Sequence, residues 1–191
     1  MSPLASRALL GVPAGDLAGI DLPASDVLGR LAGELHERLA AASDWRERFA
    51  ILDAALTRRL TGERVIPAPI AQAWRLILAS AGSAPVARIA REVGWSERHL
   101  TNRFRREIGL TPKLASRIVR FHRARHALQA QLTTGGRPDI AGTAAHCGYA
   151  DQSHLVRDFR AFAELAPARW LREEFGNVQD KPPSDDLLSG A

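Results

Sequence analysis

Between residues 86 and 167 the chain repeats itself, and that repeat restricts the fold more than any other feature of the sequence. Val86, Ala90, Gly94 and Trp95 recur as Ile140, Ala144, Gly148 and Tyr149 at an offset of 54. Leu100, Phe104, Leu110 and Pro112 recur as Leu155, Phe159, Leu165 and Pro167 at an offset of 55, so the second turn carries one extra residue. Each copy reads as a short helix, a Gly-aromatic turn, a second helix and a helix opened by proline. Apolar residues in the first helix meet a Leu/Phe pair four apart in the second, and the glycine lets the chain reverse sharply. This is the grammar of a helix-turn-helix.

The outward faces follow from helical geometry. With Leu100 at zero and about 100° per residue, Phe104 falls at about 40° and Arg98, Asn102 and Arg105 at about 160°, 200° and 140°. The second copy turns Leu155 and Phe159 inward and places Ser153, Arg157 and Arg160 on the opposite stripe, with Gln152 beside them. These are side chains of the kind that read base edges: Arg pairs with guanine, Asn or Gln with adenine, and Ser tolerates several bases. A helix expected from Pro112 to about Gln131 spans about 30 Å, close to the roughly 34 Å of one DNA turn.

The fold class expected for the whole chain is all-α. No window alternates β-branched or aromatic residues with polar ones as a half-buried strand requires. The expected architecture is two tandem helix-turn-helix subdomains joined by a long linker helix and preceded by a short helical N-terminal region. Helices are expected over about Asp26 to Ala42 and, from the capping-box spacing of Asp44 and Glu47, over Asp44 to Leu60. Another runs from Pro67 and Pro69 to about Ser80, and Thr111-Pro112 starts the linker helix. The domain boundaries read as 1–69 for the N-terminal region, 70–174 for the repeat and 175–191 for a flexible tail.

Charge sharpens the division. The chain of 191 residues has a formal net charge of +5, yet residues 70–174 hold 17 basic against 9 acidic side chains while the flanking segments are net acidic. Lys113 and Lys181 are the only lysines, so the positive side is almost all arginine, which suits phosphate-bearing partners. Arginines from Arg91 to Arg125 and from Arg157 to Arg172 are expected to register a duplex through its phosphates. A single cysteine, Cys147, excludes an internal disulfide framework and a Cys-cluster zinc site. No membrane span or secretory leader is expected, and the localisation reads as cytoplasmic.

From about Trp74 to Trp170 the sequence closely resembles the DNA-binding domain of the AraC/XylS family of bacterial transcriptional regulators. The most specific stretch is Cys147-Gly148-Tyr149-Ala150-Asp151-Gln152-Ser153-His154-Leu155, with Val156-Arg157-Asp158-Phe159-Arg160 and then Leu165-Ala166-Pro167. The resemblance implies a sequence-specific DNA-binding transcription regulator whose recognition helices are Glu97 to Glu107 and Asp151 to Phe162. It assigns base reading to Arg98, Thr101, Asn102, Gln152, Ser153 and Arg157, and backbone contacts to His99, Arg105, His154 and Arg160. Phe121 departs from the family's usual aliphatic residue in the linker helix. The segment Gly11-Val12-Pro13-Ala14-Gly15-Asp16-Leu17 resembles the tail end of a sensor domain in one branch of the family, which implies that the chain begins inside that domain.

Other functions find less in the residues. No nucleophile elbow, P-loop, dinucleotide fingerprint or H-E-x-x-H occurs, so no enzyme is expected. His122 and His126 stand four apart on the linker helix, a spacing that suits a shared metal, but no carboxylate or cysteine joins them, and neither metal nor cofactor is expected. The expected partners are double-stranded DNA and RNA polymerase, with the N-terminal helices as candidates for pairing two chains and no small-molecule effector. The alternative is a truncated regulator acting by protein-protein contact, titrating a relative or polymerase with only nonspecific DNA affinity.

Overall fold

The computed structural model describes residues 3–60 and 66–179, among which helices and turns occur without a strand. The chain divides into two compact units, Met1–Ser80 with Ala84–Ser116, and Ala81–Ser83 with Arg117–Ala191.

The first unit opens with two 3-10 turns, Pro3–Ala5 and Ala14–Leu17, flanking helix α1 (Ser6–Leu10). The single helix expected over about Asp26 to Ala42 is instead two, α2 (Ala24–Leu28) and α3 (Arg30–Ala41). Gly29 divides them at φ 62° and ψ −138°, a conformation an L side chain rarely takes. Helix α4 (Trp45–Leu60) starts as its spacing predicts, with Asp44 Oδ1 accepting from the Glu47 amide at 2.8 Å. The Glu47 carboxylate reaches one residue further back than in a standard capping box, accepting from the Ser43 amide at 2.8 Å. Arg48 donates to the Leu39 and Ala42 carbonyls, closing the end of α3. Ile51 and Ala55 are buried, whereas Trp45 and Phe49 on another face of α4 remain 68% and 59% exposed.

Helices α5 (Ala68–Ala79), α6 (Val86–Glu92) and α7 (Glu97–Ile108) pack together in the same unit. Their apolar positions fall at helical spacing, so Ile70, Ala73 and Ile77 of α5 are fully buried along with Ile89, Ala90, Leu100 and Phe104. Trp74 lies against Phe104 with ring centroids 6.3 Å apart. Gln72 Nε2 donates to the Glu92 carbonyl and satisfies the end of α6.

Helix α8 (Pro112–Thr133) starts at the proline the sequence marks, with Thr111 Oγ1 accepting from the Leu114 amide. In the second unit it is followed by α9 (Ile140–His146), α10 (Gln152–Ala163) and α11 (Pro167–Gln179). Ala124 and Leu128 of α8 meet Ala144, Cys147, Tyr149, Leu155, Phe159, Trp170 and Leu171 in one cluster. Phe121 is absorbed by this packing, its ring edge-on to Phe159 at 4.9 Å and near Phe162 at 5.3 Å. Gln131 ties α8 to the start of α9, accepting from the Asp139 amide and donating to Thr143 Oγ1. Of the tail expected over 175–191, the part up to Gln179 continues α11, and the remainder lies outside the described residues.

The duplication is visible in the elements. Both short helices have seven residues and both second helices twelve. Gly94 and Gly148 turn the chain with φ 72° and 76°. After α7 the chain leaves through Gly109 at φ 83°, but the matching position after α10 is Glu164 at φ 59°, which holds a side chain in the left-handed region.

Two outcomes are expected. Phe104→Ala costs about 3–5 kcal/mol in chemical denaturation, because the ring is fully buried. Glu164→Gly raises stability by about 1 kcal/mol, since relief of left-handed strain exceeds the entropy glycine adds to the unfolded chain.

Candidate nucleic-acid interface

The second helix of each copy is capped in the same way by a different residue. Ser96 Oγ accepts from the His99 amide at 3.2 Å at the start of α7, and Asp151 Oδ1 accepts from the His154 amide at 2.7 Å at the start of α10. The expected second helix therefore begins one residue later than Asp151, which serves as its cap, and ends at Ala163.

Within the first unit, Arg98, His99, Asn102 and Arg105 are exposed, while Leu100 and Phe104 are fully buried on the opposite side of α7. Thr101 is half-buried at the edge of that face. Within the second unit, Gln152, Ser153, Arg157 and Arg160 are exposed and His154 is half-buried, with Leu155 and Phe159 inward. Each helix thus presents a polar, arginine-bearing face whose orientation is set by a rigid apolar spine.

The ring of the turn aromatic also holds a histidine in both copies, a detail the sequence reading missed. Trp95 and His99 meet edge-on at 4.6 Å, and Tyr149 and His154 at 5.1 Å, both at 89°. The signal was present, because His99 and His154 are related by the same offset of 55 as the Leu/Phe pairs.

Buried carboxylates lie behind both faces. In the first unit Glu107 of α7 is held by Arg7, with Nε to Oε2 at 2.8 Å and NH2 to Oε1 at 2.9 Å. In the second, Arg117 of α8 places Nε and NH2 on Oδ1 of Asp158, at 3.2 and 2.7 Å, with its guanidinium over the Phe162 ring. Arg120 donates to the Gly148 carbonyl at 3.1 Å and lies over Tyr149, bracing the turn. Arg117 and Arg120 therefore have structural partners of their own, although the charge pattern placed them among the phosphate-binding arginines. Burial and the neighbouring Asp158 charge push the Tyr149 phenol well above its ordinary range.

His122 and His126 do meet, their Nε2 atoms 3.1 Å apart, so one ring accepts while the other donates. Burial, then the charges of His126 and Arg125, hold His122 below the usual histidine range. No group of three or more His, Cys, Asp or Glu that could hold a metal occurs among the described residues. No described helix is long and apolar enough to cross a membrane.

A family model described as a helix-turn-helix domain matches residues 89–173, which take in α7, α8, α9 and α10. That segment is an AraC/XylS-type DNA-binding domain. No curated protein and no solved structure matches the chain. The AraC-type domain makes this a DNA-binding transcription regulator.

Within this domain the buried Asp158 carboxylate depends on Arg117 for its counter-charge. Arg117→Met is expected to destabilise the domain by about 3 kcal/mol in urea titration, by leaving Asp158 buried without a counter-charge. The double variant Arg117→Met with Asp158→Leu should recover most of that loss, because the unpaired carboxylate is what costs.

Proposed function

We propose that the chain reads a specific double-stranded DNA site with two recognition helices that enter successive major grooves, and so regulates transcription. The observation that carries this reading is the duplicated face: two capped helices of equal length, each with polar base-reading side chains opposite a buried Leu/Phe pair. Arg98, Thr101, Asn102, Gln152, Ser153 and Arg157 read bases, and His99, Arg105, His154 and Arg160 hold the backbone. The linker helix α8 has 22 residues, about 33 Å at 1.5 Å per residue, which suits a site whose halves lie about one DNA turn apart. Residues 70–174 are the reader in this proposal, working in the cytoplasm beside RNA polymerase.

A second reading draws on the apolar side chains that α4 leaves open. Trp45, Phe49, Leu56 and Leu60 are exposed at helical spacing, a pattern that favours a protein partner and above all pairing of two chains through the N-terminal helices. In that reading the chain acts by protein contact, and its DNA affinity is nonspecific.

Selection from a random duplex library, with titration of the enriched site against scrambled DNA at several salt concentrations, separates the two. The DNA-reading proposal expects a bipartite site bound about 10³-fold or more tighter than scrambled DNA. Salt-sensitive binding without preference would leave only the protein-contact reading. Arg157→Ala should weaken the selected site by about 1–3 kcal/mol and relax preference at one position, measured by repeating the selection with the variant.

A further inference from the structure

The lead before α2 does more than precede the reader. Glu107 sits near the end of α7 with its side chain only 3% exposed, and the arginine that neutralises it lies 100 residues away in α1. The fork is bidentate, both Arg7 nitrogens each taking one carboxylate oxygen. Next to it, the turn Ala14–Leu17 lies directly on the last turn of α7. A Cβ added at Gly15 would stand 2.5 Å from the carbonyl oxygens of both Arg105 and Arg106, so this approach is backbone on backbone and open to glycine alone. The Ala14 carbonyl also faces Gly109, where α7 ends. The lead is itself anchored, with Leu9 buried and its carbonyl accepting from Arg59 of α4.

We infer that Pro3–Leu17 is a strap that fixes the pose of α7 for DNA reading, with Arg7 as a positioning residue that touches no DNA. The inference rests on the DNA-reading proposal above. Side chains that read bases must be held to within about 0.5 Å, and the strap grips the end of α7 beside Arg105, which lies on its outer face. Helix α10 is held by Arg117 from within its own unit and needs no strap. Release of the strap should therefore affect one half of the DNA site and spare the other.

The test uses the full chain and the site it selects from a random library. Footprints of Asn102→Ala and Arg157→Ala first show which half belongs to α7 and which to α10. Arg7→Met is then expected to lose protection of the α7 half and bind the intact site about tenfold more weakly. It should bind a site with that half scrambled as the parent does. The double variant Arg7→Met with Glu107→Leu removes the unpaired carboxylate, so it should melt like the parent and still fail to protect the α7 half. Protection of both halves by either variant, loss of both halves together, or a double variant that does not fold would each overturn the strap. A parent that selects no site overturns the DNA-reading proposal and this inference with it. A parent that selects one, with Arg7→Met protecting both halves, overturns the strap alone.

Discussion

An arginine clamped on a buried carboxylate holds α7 and α10 from behind, on the side opposite each polar face. A carboxylate with almost no exposure needs a counter-charge in place of the water it has lost: Glu107 has Arg7 on both oxygens, whereas Asp158 has Arg117 on Oδ1 alone. The pair adds little net stability over an apolar substitute, but it is directional. The packed Leu/Phe spine sets which face turns outward, and the directional ion pair adds a second, polar constraint on the same helix. The two copies use the device with different parts. Glu107 in the first unit draws its arginine from the distant lead, and Asp158 in the second draws it from the linker helix.

The duplication explains why so much of the helix-turn-helix region is legible from the sequence alone. Local signals carry it: proline and cap residues set the starts of α4, α5 and α8, and the spacing of Leu100 with Phe104 and of Leu155 with Phe159 decides which faces turn inward. Exposure of Arg98, Asn102, Gln152, Ser153 and Arg157 follows from the same periodicity. What escapes is non-local. Nothing near Arg7 in the sequence points to Glu107, and Gly15 looks like any loop glycine until the end of α7 lies beneath it. The division of the helix at Gly29 escapes for a different reason, since an isolated glycine in a helical pattern is often tolerated.

Arginine content is likewise a poor map of where a duplex lies. On α8 alone, Arg117 and Arg120 are engaged by Asp158, Gly148 and the aromatic rings of Phe162 and Tyr149, and Arg123 meets His146 at 3.1 Å. The guanidinium suits both tasks for the same reason, being a flat fork that stays charged and tolerates partial burial. Side chains without a protein partner on an exposed face are the better guide to the outer electrostatics than the net charge of the segment.

Cys147 gives the second unit a built-in clock. The chain's only thiol lies 1% exposed in the core beneath the α9–α10 turn, and burial pushes its pKa up against the pull of Arg123. A thiol reagent can reach it only during local opening of that unit, and the first unit offers the reagent no target. The rate at which the native chain is labelled therefore reports how often the second unit opens, without any engineered probe.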